Sequence, residues 1–157
     1  LLDPPGDDVF RRITALAAAT LRVDTALLVL VDRRTETLRL AASEGFDPAT
    51  HPIDGLPADE VFNALLEVRQ GVLALSDIRD RVPETRRAML DDLGFRGVLA
   101  APVQCPAGLA VGVLSGVSGN VRIWSRNDRR VLADLAVLAS ERILLRASLR
   151  TISILSG

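Results

Sequence analysis

The chain has 157 residues, of which 48% are apolar, and a net charge of -1. This length suits one domain with enough residues to bury a core. The near-neutral charge excludes the basic surface that nucleic acids and acidic membranes attract, and no apolar run is long enough to cross a bilayer. No signal-peptide pattern is present, so we expect one cytoplasmic domain over residues 1–157, with neither nucleic acid nor membrane as a partner.

A single cysteine and a single histidine limit the chemistry that the chain can perform. Cys105 alone cannot form an internal disulfide or a multi-thiolate metal site, and His51 alone excludes sites that need two imidazoles. Cys105 is either a reactive thiol or a small turn residue, and His51 is either a haem or metal ligand or a solvated loop residue. We favour the second interpretation of each and predict no metal site.

The first quarter of the chain predicts a helix and two strands. Asp7 or Asp8 can cap a helix that follows. Residues 25–31 are rich in leucine and β-branched residues and fit a buried strand. In residues 37–42 apolar and polar residues alternate, which predicts a half-exposed strand near a sheet edge. The apolar stripe predicted for the helix consists of Val9, Ile13, Leu16, Ala17 and Leu21.

The middle of the chain predicts short elements separated by long loops. Residues 44–56 are rich in Gly, Pro and Asp and indicate a loop. A second helix is predicted over 57–70, with proline in its first turn, and a short strand over 72–75. A charged loop at 76–83 then leads to a short helix over 84–93.

Two long apolar runs, 98–103 and 109–117, flank a short turn that contains Pro106 and Gly108. This spacing predicts a β-hairpin. Because both runs are apolar at nearly every position, we expect adjacent inner strands that are covered on both faces. Gly112 is predicted to let a helix or the opposite layer approach closely. A last short strand is predicted over 121–124.

A capping box of Ser125 and Asp128 predicts a long final helix that ends near Arg150, with residues 150–157 as a linker to an effector domain. The helix carries two apolar stripes. One follows the 4-3 spacing of a helix–helix seam, interrupted by Arg142, so we predict a homodimer through the first and last helices. The alternative is one wide stripe buried within a monomer. The seam stripe comprises Val131, Leu135, Leu138, Leu145, Leu149 and Ile152, and the second comprises Leu132, Ala136, Ala139 and Ile143.

The order of these elements resembles that of the GAF domain family, and five local patterns strengthen the resemblance. They are AASEGF at 41–46, VLALSD at 72–77, LGFRGVLAAPV at 93–103, AVGVL at 110–114 and WSRND at 124–128. Each pattern alone reflects a core or cap requirement. Their order and spacing together are more specific, and they cover about residues 9–150.

The resemblance implies an α+β fold with a central antiparallel sheet of five or six strands. The terminal helices would cover one face, and loops and short helices would form a pocket on the other.

Members of the family bind cyclic nucleotides, bilins, haem, amino acids or no known ligand. The cyclic-nucleotide signature is absent here, and Cys105 does not match the bilin-attaching position. One cysteine cannot complete the thiol cycle of the family's methionine-sulfoxide reductases. We therefore leave the cofactor unknown and expect no enzyme.

The predicted pocket has apolar residues at its base and Arg and Asp at its rim, which suits an unidentified small organic molecule with one polar or acidic group. Arg79, Arg81, Arg86 and Arg87 either provide an anion clamp or form a solvated charged face. The function implied is a non-catalytic sensor that transmits a signal through its terminal helices, in a dimer, to an effector domain or partner protein. The alternative is a dimerisation module with an empty pocket. The predicted ligand-binding residues are Asp54, Leu75, Asp77, Ile78, Arg86, Met89 and Leu90.

Overall fold

A computed structural model describes residues 7–58, 72–105 and 107–156 of the chain. Most of the second helix predicted over 57–70 therefore lies outside the described residues. The described residues form three α-helices, five strands and one 3₁₀ turn at Ile78–Asp80. The helices are α1 (Asp8–Leu21), α2 (Glu84–Leu93) and α3 (Arg126–Ser156). The strands are β1 (Thr25–Asp32), β2 (Thr37–Glu44), β3 (Leu73–Leu75), β4 (Gly97–Gln104) and β5 (Ala110–Ser118).

The strands form one antiparallel sheet in the order β2-β1-β5-β4-β3. The predicted hairpin is confirmed, because β4 and β5 are adjacent inner strands that pair from Gly97 with Ser118 to Gln104 with Ala110. The edge position predicted for the second strand is also confirmed. The five strands fall within the predicted number, and the fold is α+β, as expected.

The two faces of the sheet are covered by different layers. On one face, which we call the helix face, Leu28, Leu99 and Leu114 pack against α1 and α3. On the other, which we call the loop face, Val29 and Val98 pack beneath residues of the connecting segments. The layer that covers the loop face includes Phe46, Ile53, Ile78 and Phe95. The predicted placement of the terminal helices on one face is therefore confirmed.

Two glycines of β5 permit close packing within the helix face. A Cβ atom at Gly112 would lie 2.6 Å from the Val29 carbonyl oxygen and 2.6 Å from Leu30 Cδ2. The prediction that Gly112 allows a helix or the opposite layer to approach was wrong, because the close neighbour is the adjacent strand β1. Gly116 is the glycine beneath a helix, since a Cβ there would lie 2.5 Å from Leu21 Cδ1 of α1.

Helix α1 begins as predicted, with the side chain of Asp7 accepting a hydrogen bond from the Val9 N–H. Its buried stripe differs from the predicted one, because Val9 and Leu16 are exposed and Phe10 is buried. A helix turns by roughly 100° per residue, so Val9 and Leu16, each one position before a buried residue, lie on the flank of the buried face. The buried residues are Phe10, Ile13, Thr14, Ala17, Ala18 and Leu21.

The segment after β5 forms no strand over 121–124, which corrects the prediction. Its groups are held by other contacts instead. Arg122 N–H donates to the Ser76 carbonyl at 3.0 Å, and the Trp124 indole N–H donates to the Leu75 carbonyl at 3.1 Å. The capping box is confirmed, because Ser125 N–H donates to the Asp128 carboxylate and Asp128 N–H donates to the Ser125 hydroxyl.

Helix α3 is 31 residues long, or about 46 Å at 1.5 Å per residue. It continues to Ser156 and does not end near Arg150, because residues 126–156 contain no glycine or proline that would end the helix earlier. The second predicted stripe, with Leu132, Ala136 and Ala139 at its centre, packs on the sheet. The first two residues of the predicted seam, Val131 and Leu135, also belong to the helix-face core, which corrects the prediction for that end of the seam. The side chain of Ile152 lies outside the described part of the chain. In the part of the chain that the structure describes, no helix combines the length and apolar character needed to cross a membrane.

Candidate functional site

The predicted pocket residues occupy two ends of the sheet. Leu75 is buried on β3, Ile78 packs against the loop-face core, and Leu90 is buried on α2, whereas Met89 is half exposed. Asp54 lies beside the outer edge of β2, where its carboxylate accepts a hydrogen bond from the Leu40 N–H at 2.7 Å. Because β2 and β3 are opposite edges of the sheet, Asp54 is set apart from the residues near β3 and α2.

Asp77 is held by Arg96. The Arg96 Nη2 and Nε groups donate to Oδ2 at 2.7 Å and Oδ1 at 3.2 Å, and the Arg79 N–H also donates to Oδ1. The hydrogen bond from Arg96 lowers the pKa of Asp77, against a smaller opposing effect of burial. The same hydrogen bond raises the pKa of Arg96. This bidentate pair fixes the 3₁₀ turn to the start of β4.

The loop after β2 closes against the end of α2 through aromatic contacts. The ring of Phe46 lies 6.2 Å from that of His51 and 6.4 Å from that of Phe95, measured between centroids. His51 Nε2 lies 3.2 Å from the Asp92 carboxylate. Among the described residues, no group of three His, Cys, Asp or Glu side chains could hold a metal ion. Through Phe46 and Asp92, His51 links the loop after β2 to α2, a contact that the sequence analysis did not predict.

The predicted arginine cluster is divided between paired and exposed side chains. Arg79 lies 3.5 Å from the Asp91 carboxylate, and Arg86 is half-buried with a partner of its own. Arg81 and Arg87 are exposed. The four arginines therefore do not form one common cluster.

An exposed apolar row follows the predicted seam on α3. Leu138, Leu145 and Leu149 are 48%, 49% and 52% exposed. Arg142, which interrupts the row in the sequence, turns towards α1 and donates from Nε to the Asp7 carboxylate at 3.0 Å. The interruption therefore links the first and last helices of the domain.

A cleft of about 630 Å³ opens on the helix face, between α1, α3 and the edge of β2. It lies on the opposite side of the sheet from the predicted pocket and shares only Asp54 with the predicted set. Its lining comprises Asp7, Asp8, Val9, Phe10, Leu30, Arg39, Leu40, Ala41, Asp54, Arg142, Ile143, Arg146 and Ala147. No sequence pattern indicated this cleft, because its residues come from five separate segments.

The Asp77–Arg96 pair predicts a pH-dependent contribution to stability. Because the folded-state pKa of Asp77 is lowered, its stabilisation is present above the unfolded pKa and is lost as the pH falls through the folded pKa. We expect Asp77→Asn to lower the unfolding midpoint at neutral pH and the difference from wild type to shrink below about pH 4. Thermal unfolding across pH measures this. The control Asp134→Asn, at an exposed site on α3, should show no such trend, and a constant difference for Asp77→Asn would contradict the account.

Comparison with known proteins places the chain in a family. The sequence matches the GAF domain family over residues 5–143. Similar solved structures include the GAF domain of a phosphoenolpyruvate-protein phosphotransferase from Coxiella burnetii, with a TM-score of 0.78 and 15% identity over 94% of this chain and 88% of that one. The blue-light absorbing form of the PixJ GAF domain from Thermosynechococcus elongatus has a TM-score of 0.75 and 21% identity over 95% of this chain and 90% of that one.

A third similar structure is the GAF domain of an Acinetobacter phosphoenolpyruvate-protein phosphotransferase, with a TM-score of 0.67 and 19% identity over 90% of this chain and 93% of that one. A comparison with curated proteins gave no significant match. At these identities the solved structures establish the fold, while the family match covers most of the sequence. The chain therefore belongs to the GAF domain family and is a sensory or regulatory domain.

Proposed function

We propose that this domain binds a small organic molecule beneath the loops of the loop face and transmits the signal through α1 and α3 in a homodimer, without catalysing a reaction. The observation that carries the proposal is the exposed row of Leu138, Leu145 and Leu149 on α3. These residues occupy positions of the 4-3 pattern of a helix–helix seam, in which Arg142 fills the position between Leu138 and Leu145, and about half of each leucine side chain is left uncovered.

The assembly part of the proposal follows from how α3 divides its apolar residues. Leu132, Ala136 and Ala139, together with Leu135 from the start of the predicted seam, pack the helix on the sheet. The exposed row therefore has a separate role, and a second copy of the chain would supply the same row. Arg142 and Asp7 join α3 to α1, so a change in either helix would reach the seam.

The ligand part rests on the contrast between the base and rim of the loop-face site. Leu75 and Leu90 provide buried apolar surface, and Arg86 adds a half-buried cation on the same helix as Leu90. Loops held by a rigid sheet commonly carry binding residues. A molecule with one acidic group would place that group at Arg86.

The second candidate is a dimerisation module with an empty pocket. It is favoured by Asp77, whose carboxylate is fully engaged by Arg96 and the Arg79 N–H rather than directed at a ligand. Both candidates share the seam on α3, and they differ only in whether a small molecule binds on the loop face.

A thermal-shift screen separates the two candidates. Because a ligand that binds only the native state raises stability by mass action, we expect one class among amino acids, organic acids and cyclic nucleotides to raise the unfolding midpoint. Arg86→Ala should weaken the binding of that compound by about tenfold or more, and the control Arg87→Ala, on the exposed side of α2, should not. An absorbance spectrum of the purified protein tests for haem or bilin. A screen without any stabilising compound would favour the empty module.

The homodimer is tested by replacing Leu138 and Leu145 with Glu and measuring the mass in solution by light scattering. We expect the mass to fall from dimer to monomer, because four charges would be introduced into one apolar seam. Leu144→Glu is a matched control, since Leu144 is equally exposed on α3 but does not belong to the 4-3 row. An unchanged mass in the double variant would remove this row from the interface.

A further inference from the structure

We propose that the cleft on the helix face is a second binding site, for a small organic anion that carries a carboxylate or phosphate group on an apolar body. Arg142 and Arg146 would hold the anionic group, and Leu30 and Ile143 would contact the apolar part. This site lies across the sheet from the loop-face pocket, so it goes beyond the proposed function and does not depend on it.

The basic pair is oriented by a buried carboxylate. The Asp7 side chain is only 6% exposed, and its Oδ2 atom accepts a hydrogen bond from Arg142 Nε at 3.0 Å and lies 3.7 Å from Arg146 Nε. Two guanidinium groups thus face one carboxylate, so these three groups together carry one positive charge, within a lining that holds three carboxylates and three arginines in all. Both arginine side chains are about 30% exposed towards the cleft.

The arginines retain donors for a ligand. Within the described residues, Arg142 makes its hydrogen bond through Nε, and Arg146 makes none, so the terminal nitrogens of both guanidinium groups are unused. A guanidinium group presents five N–H donors in a planar fork that matches a carboxylate or phosphate. Because Asp7 holds the Nε edge of the Arg142 guanidinium group, the terminal N–H donors of that group have a fixed orientation.

Asp7 remains charged at neutral pH and so keeps the pair in place. Burial acts to raise the pKa of Asp7, but hydrogen bonds from Arg142 and from the Val9 N–H outweigh it and lower the pKa. The other acidic residues of the cleft are engaged elsewhere. Asp8 pairs with Arg11, and the Asp54 carboxylate accepts from the Leu40 N–H.

The apolar wall of the cleft favours an organic anion over a bare inorganic one. Phe10 is buried, Leu30 and Ile143 are half-buried and pack on the helix-face core, and Arg146 lies over the Phe10 ring at 5.8 Å from its centroid. The volume of about 630 Å³ falls within the range of small-molecule sites. An aromatic or branched body of several carbon atoms would fill it.

Phenylphosphate and benzoate are the probes that test the site, with inorganic phosphate and chloride at equal ionic strength as references. We expect one aromatic anion, measured on the full chain, to raise the unfolding midpoint and to shift the Nε–H resonances of Arg142 and Arg146 in NMR spectra. A response to phenylphosphate alone identifies a phosphate ligand, and a response to benzoate alone identifies a carboxylate.

Matched variants distinguish this site from general charge attraction. Arg146→Met keeps the apolar stem and the Asp7–Arg142 pair, and it should weaken the apparent Kd about tenfold or more. Arg130→Met removes an exposed arginine of α3 outside the cleft and should leave the Kd unchanged. Ala147→Trp should fill the cleft and prevent binding without removing any charge.

Two results would overturn the proposal: no response to either aromatic anion, or equal binding by Arg146→Met and Arg130→Met. Because the loop-face ligand is tested with Arg86→Ala and the seam with substitutions of Leu138 and Leu145, failure of this site is distinguishable from failure of the proposed function.

Discussion

Strand β5 is packed on every side, and this constraint determines where function can reside. It pairs with β1 and β4 along its two edges, Leu114 is fully buried on the helix face, and Val113 is buried on the loop face. Gly112 and Gly116 allow β1 and α1 to approach it closely. In the described part of the chain the centre of the sheet is filled on both faces, so the sites proposed above lie at its periphery, beneath the loops and along the terminal helices.

Two ion pairs join segments that surround the sheet to neighbouring elements. Asp7 and Arg142 join the start of α1 to the middle of α3, across 135 positions of sequence. Asp77 and Arg96 join the 3₁₀ turn to the start of β4. Each pair is partly buried and is therefore less screened than an exposed one. A ligand that altered either pair would change the position of a whole segment, which suits a sensory domain.

Local signals predicted those elements whose stability depends on nearby residues. The capping box of Ser125 and Asp128, the bounds of α2 and the β4–β5 hairpin were all visible in sequence because their caps and turns are local. The apolar residues of 121–124 predict a strand, whereas in the structure the backbone N–H of Arg122 donates a hydrogen bond to the Ser76 carbonyl. Such a contact joins residues that are far apart in the chain, so the local sequence does not predict it.

The candidate sites were predictable only in part, since they depend on strand order. The sequence predicts Asp54 and Leu75 as pocket residues, and only the structure shows that they lie near β2 and β3, the opposite edges of the sheet. Arg142 was visible as an interruption of the seam, yet its partner Asp7 could not be identified from spacing. The helix-face cleft likewise combines residues of α1, β1, β2 and α3.

Native-state hydrogen exchange most directly tests the claim that β5 is the centre on which the domain depends. The account predicts that the amides of Val113 and Leu114 exchange most slowly, with an opening free energy equal to that of global unfolding measured with denaturant. The amides of β2, at the sheet edge, should exchange through smaller local openings. If Val113 and Leu114 exchanged through openings smaller than global unfolding, or if β2 were the most protected strand, the account would be contradicted.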